Sequence, residues 1–177
     1  MKIYMKKKII GILVILLILA GIVLYFYYTF RIDNKNGIEN IKPDEPSFTK
    51  NGQLAFMNKE NNVIIKNIDI EIADNDPKRT QGLMWRRSMT DNNGMFFIFD
   101  EEETHSFWMR NTYIPLDIIF INKSEEIVTI HEDAKPLSEI SIPSEKPAQF
   151  VVEVIAGFCN HYKISTGDKI KFKRLKN

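Results

Sequence analysis

The sequence predicts an α+β domain that is mainly β, preceded by an N-terminal transmembrane helix. Two observations predict the domain: short segments rich in Ile, Val and Phe recur between residues 53 and 174, and several are apolar on both faces. A third observation predicts the helix, because residues 9–28 carry no charge. Strands that are apolar on both faces favour a small barrel or a sandwich-like sheet with one or two short helices packed on it.

The first thirty residues read as a membrane anchor. Residues 1–8 form a basic segment with four lysines, and residues 9–30 form the predicted signal-anchor helix. About twenty apolar residues suffice to cross a bilayer core of roughly 30 Å. The lysines predict that the N-terminus stays in the cytoplasm. The alternative is a cleaved signal peptide, but the apolar run is longer than a typical signal core and ends in bulky aromatics.

A polar linker separates this anchor from the domain. Residues 31–47 contain Gly37, Pro43 and Pro46 and show little apolar periodicity, which predicts a stalk before a folded domain over residues 48–177. The anchor therefore predicts a single-pass protein of the cytoplasmic membrane with its C-terminal domain outside, periplasmic or extracellular. Four of the 24 Lys and Arg residues precede the apolar run and all 23 acids follow it, so the outer part carries a net charge of −3. This balance excludes a nucleic-acid-binding surface.

Alternating Ile residues predict the first long strand, and a helix follows it. Strands are expected over 53–58 and 63–73, with Asn67, Asp69 and Glu71 on the wet face of the second. Asp76 is expected to cap a short helix over 77–87, with Pro77 at its first position, where the missing N–H has no cost.

The rest of the domain is predicted to be mostly strands. An acidic loop is expected over 100–104, a bend over 111–115, a proline-containing surface loop over 134–147, and a turn with a short helix over 156–164. The predicted strands cover 95–99, 105–111, 116–122, 126–131, 148–155 and 169–174.

Several motifs are distinctive: RTQGLMWR (79–86), GMFFIF (94–99), SFWMRNTYIPLDIIFI (106–121), PLS (136–138), FVVEV followed by AG (150–157), and GD (167–168). From about residue 63 to the end, the chain resembles domain-of-unknown-function family 192. The resemblance implies a compact, mainly β fold that often follows a secretion signal or membrane anchor, and it implies no established activity. Phe158 stands where Trp looks more usual. Cys159 matches no family motif, which argues against a mechanism built on this thiol.

Two acidic residues lie where burial is predicted. Glu153 and Asp117 sit in strands with apolar neighbours on both faces, so each carboxyl needs a partner or must be neutral. Arg79 and Arg86, seven residues apart on one helix face, are the expected partners. Such a pair could lock helix to sheet. In a second interpretation these groups line a pocket in which an Arg holds a carboxylate or phosphate ligand. In a third, a carboxyl of raised pKa is catalytic. The candidate pocket residues are Arg79, Arg86, Trp108, Asn111, Thr112, Asp117 and Glu153.

Other catalytic signatures are missing from the sequence. The three histidines are scattered without zinc-ligand spacing, and neither a phosphate-binding loop nor a GxSxG motif occurs, so no metal or cofactor is expected. Cys159 is the only cysteine, which excludes an internal disulfide. The predicted function is a membrane-anchored extracytoplasmic module that binds a small anionic ligand or an envelope protein and is not an enzyme. The alternatives are an envelope hydrolase or transferase using a buried carboxylate, and a purely structural envelope module.

Overall fold

The computed structural model describes residues 17–29 and 45–175. Residues 17–29 are helical (α1). Within the described ranges, no helix combines the length and apolar character needed to cross a membrane. Residues 9–16 and 30 of the predicted anchor, and most of the predicted linker, lie outside the described residues, so the anchor stays a prediction. The chain divides into two units, Met1–Pro43 and Asp44–Asn177, and the β domain belongs to the second.

The domain contains nine strands and two short helices among residues 45–175. The helices are α2 (Asp76–Gln81) and α3 (Phe158–Tyr162). The strands are β1 (Gly52–Met57), β2 (Ile64–Ala73), β3 (Asn93–Glu103), β4 (Ser106–Phe107), β5 (Leu116–Ile121), β6 (Ile127–Ala134), β7 (Ile142–Pro143), β8 (Ala148–Ile155) and β9 (Lys169–Arg174).

Seven of these strands form one sheet in the order β6-β5-β8-β3-β2-β1-β9, and β4 pairs with β7 in a separate two-stranded sheet. Among the strand pairs of residues 45–175, only β2 and β3 run parallel, and the crossover that joins them contains α2. The sheet is open, with β6 and β9 at its edges. A single bridge between Glu126 and Lys169 links the N-terminal ends of these two strands. The mainly β fold with short helices is confirmed, but the sheet is open instead of the predicted small barrel or sandwich-like sheet, because the two edge strands do not pair along their lengths.

The central strands are buried on both faces, as their sequences predict. All six residues of β5 are buried. Alternate residues serve two different cores: Phe96 and Val152 lie in one, while Phe97 and Val151 lie in the other. The first core is closed by β1, β9 and α3. The second includes Leu83 from the turn after α2 and Met109 from the segment after β4, and it borders the candidate site.

The helix after β2 is shorter than predicted. Asn75, not Asp76, is its N-cap, and the Asn75 side chain accepts a hydrogen bond from Lys78 N at 3.1 Å. The helix ends at Gly82, whose φ of +45° is disfavoured for residues with a Cβ. The following residues, through Trp85, are turns instead of a helical continuation, and Arg86 lies in irregular chain. Arg79 and Arg86 therefore do not share a helix face.

Two predicted strands also differ in length. β3 continues through the predicted acidic loop to Glu103, which pairs with Ala148 of β8. The strand predicted over 105–111 is only Ser106–Phe107, since it finds partners only in Ile142–Pro143. After β4 the chain leaves the sheet, and this departure brings Trp108, Arg110 and Thr112 over the second core.

Candidate functional site

A cavity of about 340 Å³ lies over the second core. It is enclosed by α2 and the turn after it, by the middle of β3, by the chain from β4 to residue 112, and by one residue of β8. The lining residues are Asp76, Arg79, Thr80, Gln81, Gly82, Leu83, Met84, Phe97, Phe99, Ser106, Phe107, Trp108, Arg110, Thr112 and Glu153. A mostly apolar concave surface with a few converging polar groups is typical of small-molecule sites.

Glu153 is the acidic group deepest in this arrangement. It pairs in register with Met95 of β3 and Ile118 of β5, so its carboxyl projects among apolar side chains, and only 5% of its surface is exposed. No group within residues 17–29 and 45–175 donates a hydrogen bond to this carboxyl or forms an ion pair with it. Burial raises the pKa of Glu153 to about 8, because the charged form loses its hydration. The carboxyl is therefore mostly protonated near neutral pH.

Arg79 closes one side of the cavity and is itself fully engaged. Its Nη1 donates to the Ile98 carbonyl at 2.6 Å, and its Nη2 lies 2.8 Å from a carboxylate oxygen of Asp76. The guanidinium also stacks over the Phe99 ring at 5.4 Å. These contacts attach α2 to β3 and hold the arginine against the wall. The interpretation in which an arginine locks the helix to the sheet required Arg79 to pair with Glu153 or Asp117, and Arg79 pairs with neither.

Trp108 and Thr112 complete the side of the cavity formed after β4. Trp108 is half exposed, and Arg110 stacks over its ring at 5.9 Å. Arg110 lies 3.8 Å from Glu139, with both side chains largely in solvent. Thr112 is buried, and its hydroxyl donates to the Arg110 carbonyl at 3.4 Å. Four of the seven predicted pocket residues thus line one cavity: Arg79, Trp108, Thr112 and Glu153.

Asp117 is buried but does not line the cavity. Its carboxylate accepts three backbone N–H groups, from Asp133 at 3.0 Å, Gly157 at 3.2 Å and Cys159 at 2.9 Å. The first donor belongs to the place where β5 and β6 shift register. The other two belong to the start of α3, whose N-cap is a glycine without a side chain to cap it. Asp117 therefore stabilises a bulge and a helix terminus.

Asn111 also lies outside the cavity lining. Its φ is +55°, and its carbonyl accepts a hydrogen bond from Trp85 N at 2.7 Å. An asparagine tolerates this left-handed conformation better than most residues. Its contribution is to the bend between β4 and β5.

Arg86, the third predicted pocket residue that lies elsewhere, forms a buried ion pair with Glu71. Arg86 Nη2 is 2.7 Å from Glu71 Oε2, and Thr49 N donates to Glu71 Oε1 at 3.0 Å. The pair is close but poorly aligned as a hydrogen bond, and Arg86 Nε has no partner among the described residues. Burial raises the pKa of Glu71, although Thr49 N–H and Arg86 partly oppose this rise. Glu71 was expected on the wet face of β2, but the segment before β1 and Arg86 cover it.

We expect Arg86→Met to destabilise the domain by roughly 3–5 kcal/mol, since it leaves the Glu71 carboxyl buried without its partner. The double variant Arg86→Met with Glu71→Gln should recover most of this loss, because no charge remains to be desolvated. Urea unfolding at neutral pH measures both. A double variant as unstable as the single one would show that arginine packing, not charge, is the main contribution.

Two of the three histidines, and the cysteine, have structural contacts that argue against a catalytic or metal-binding role. His105 stacks on Phe99 at 3.7 Å and its Nε2 bonds the Ala148 carbonyl at 2.9 Å, while His131 Nε2 bonds the Pro143 carbonyl at 2.7 Å. Burial and the neighbouring Asp117 raise the pKa of the Cys159 thiol, which disfavours the nucleophilic thiolate. Residues 17–29 and 45–175 contain no cluster of three His, Cys, Asp or Glu side chains able to hold a metal ion.

Sequence reasoning missed the apolar wall of the cavity. Phe97, Phe99 and Phe107 meet edge to face, with centroid distances of 5.1 Å between Phe97 and Phe107 and 6.4 Å between Phe99 and Phe107. Their apolar character predicts burial and does not distinguish a cavity wall from a filled core. The conformation of Gly82, which ends α2 beside Phe97, was equally invisible in the sequence.

Comparison with known proteins gives a family and a fold. Residues 56–172 match DUF192, described as an uncharacterized ACR. A crystal structure from Sinorhizobium meliloti 1021, described as a proposed transcription regulator, is 34% identical with a TM-score of 0.67, covering 72% of this chain and 98% of that chain. A protein of unknown function from Novosphingobium aromaticivorans DSM 12444 is 30% identical with a TM-score of 0.63, covering 67% of this chain and 83% of that chain. No curated protein matches the chain. The match over residues 56–172 and the two solved structures together show that the chain belongs to the DUF192 family.

Proposed function

We propose that the domain is a binding module that takes a small organic ligand into the cavity over the second core. The observation that carries this proposal is Glu153, a buried carboxyl that has no partner in the described part of the chain and lines a cavity large enough for a ring-sized molecule. A buried polar group without a hydrogen bond destabilises the folded state. A ligand that satisfies Glu153 would remove that cost. The apolar wall would supply most of the contact area.

The module's proposed location is the outer side of the cytoplasmic membrane. This placement rests on the lysines of residues 1–8 and the uncharged run of residues 9–28. Protease added to intact spheroplasts should digest the domain, and full protection would argue against this location.

The alternative enzymatic function has one specific observation in its favour. A carboxyl with a pKa of about 8 remains protonated at neutral pH, as a general acid must. The other carboxylate on the lining belongs to Asp76, whose side chain is almost fully exposed. Its Oδ1 lies 2.8 Å from Arg79 Nη2. A hydrolase built on Glu153 would use Asp76 or a substrate group as its second catalytic group, and the binding module needs neither.

The proposal is tested with a panel of single-ring fragments and the domain over residues 45–177. A domain of this extent should fold alone, because this chain covers 98% of the matched Sinorhizobium meliloti chain. Thr80 is exposed on α2 and lines the cavity, whereas Lys78 on the same helix does not. Thr80→Trp should weaken fragment binding at least about tenfold by filling the opening, and Lys78→Trp should leave it unchanged. Amide chemical shifts near Gly82 and Ser106 report occupancy. A panel that shifts none of these amides would refute the proposal.

A further inference from the structure

The charges around the cavity are unevenly matched. Arg79 has Asp76 at 2.8 Å and the Ile98 carbonyl at 2.6 Å, and Arg110 has Glu139 at 3.8 Å. The charged or titratable side chains that line the cavity, or pair with one that does, are Asp76, Arg79, Arg110, Glu139 and Glu153. Glu153 alone has no partner among the described residues. Both arginines already have acidic neighbours, so the carboxyl is the group of the cavity that lacks a counterion.

The walls of the cavity suit a cation as well as an apolar body. Four aromatic side chains line it, and the arginines already stack on two of them: Arg79 on Phe99 at 5.4 Å and Arg110 on Trp108 at 5.9 Å. The remaining rings, Phe97 and Phe107, also lie on the lining, and no cationic side chain of residues 17–29 or 45–175 stacks over either of them. The faces of aromatic rings attract ammonium groups, and this attraction is stronger where water is excluded.

We propose that the cavity binds an organic cation, a primary ammonium group on an apolar or aromatic body, whose charge pairs with the Glu153 carboxylate. The proposal rests on the proposed function and adds the chemical class of the ligand. It differs from the anionic ligand expected from the sequence, because the arginines that would hold an anion are already paired. An ammonium donates up to three hydrogen bonds, and one of them would satisfy the buried carboxyl.

Binding of such a cation must release a proton. In the free protein near neutral pH the Glu153 carboxyl holds its proton, since burial raises its pKa to about 8. The incoming ammonium pairs with the carboxylate, and the displaced proton goes to solvent. The apparent affinity then follows the ionised fraction of Glu153, which increases about 50-fold between about pH 6 and about pH 8. A neutral ligand would show no such increase.

Three ring probes of nearly equal size separate the possibilities: benzylamine, benzyl alcohol and benzoate, each titrated into residues 45–177 by calorimetry. We expect benzylamine to bind tightest, to release protons, and to bind about 50-fold more tightly at about pH 8 than at about pH 6. Glu153→Gln should weaken benzylamine binding at least about tenfold and remove its pH dependence. The matched control Glu101→Gln changes an exposed acid of β3 outside the cavity and should change nothing.

Each other outcome refutes a defined part of the inference. If benzyl alcohol or benzoate binds as tightly as benzylamine, or if the pH dependence persists in Glu153→Gln, the cation assignment is wrong and the cavity remains a binding site. Preferential binding of benzoate would instead support the anionic ligand expected from the sequence. If none of the three probes binds, both the cation assignment and the proposed function fail.

Discussion

Asp117→Asn should destabilise the domain by on the order of 3 kcal/mol, because it weakens three hydrogen bonds to one buried carboxylate at once. The asparagine oxygen can still accept from Asp133 N and Gly157 N. Its amide group would face Cys159 N, where two donors oppose each other. Hydrogen bonds to a charged acceptor are individually stronger than neutral ones, so the substitution also weakens the two that remain.

Urea unfolding of the domain at neutral pH measures this loss as a lower midpoint with an unchanged slope. Asp100→Asn is the matched control, since Asp100 is exposed on β3 and its replacement should change stability by less than about 0.5 kcal/mol. Hydrogen exchange adds a local readout, because the amides of α3 should lose protection before those of β8. A loss below about 1 kcal/mol would contradict the role assigned to Asp117.

The role of Asp117 shows where sequence reasoning stops. The pattern LDIIF predicted a buried acid correctly, and Asp117 is fully buried. Its partners were expected to be arginines, yet they are three backbone N–H groups. These donors become available only because β5 and β6 shift register and because α3 starts at a glycine. Both events depend on tertiary pairing, and neither leaves a local signal that points to Asp117.

Other elements follow the same division. The bounds of β8 and β9, Ala148–Ile155 and Lys169–Arg174, equal the predicted ones, since apolar runs between turn residues determine them locally. The length of β3 was underestimated because Glu103 gains a partner in β8 that its acidic sequence does not suggest. Glu71 alternates like a solvent-facing residue and is buried by chain that precedes β1. The local hydrophobic pattern predicted the strands. Which strand faces become buried depends on segments distant in sequence, such as the chain before β1.

The candidate site divides in the same way. Glu153 could be singled out because an acid with apolar neighbours on both strand faces is unusual. That it lacks a partner could not be foreseen, because Arg79 is drawn to Asp76 and Arg86 to Glu71. The cavity itself depends on Gly82 ending α2 early and on the chain leaving the sheet after Phe107.

Glu153→Gln should make the domain more stable than the unmodified protein at alkaline pH and about equally stable at acidic pH. In the unfolded chain Glu153 ionises near its ordinary pKa of about 4.3, and in the folded domain only near 8. Below about pH 4 both states are protonated and the group has no effect on stability relative to glutamine. Between the two pKa values the unfolded state loses its proton first, so stability falls as pH rises, and above about pH 8 the loss is complete.

The full loss is on the order of 3–5 kcal/mol, and glutamine, which stays neutral, avoids it. Thermal or urea unfolding of both proteins at about pH 4 and about pH 8 measures the difference. Glu71, whose pKa is also raised, contributes a slope of the same sign, but it is present in both proteins and cancels. Glu101→Gln is the exposed control and should follow the unmodified protein at each pH.

The sign of this difference distinguishes a functional carboxyl from a structural one. A structural acid such as Asp117 is held by donors, and its replacement destabilises the domain. Among the described residues no group donates to Glu153, so its charged form only opposes folding. If glutamine at this position makes the domain more stable, then the natural carboxyl lowers folding stability. A bound counterion can offset that loss. Such a loss of stability in exchange for function is common at binding sites. If Glu153→Gln instead lowered stability at about pH 8, the carboxyl would have a structural partner, and the cavity would lose the observation on which the proposed function rests.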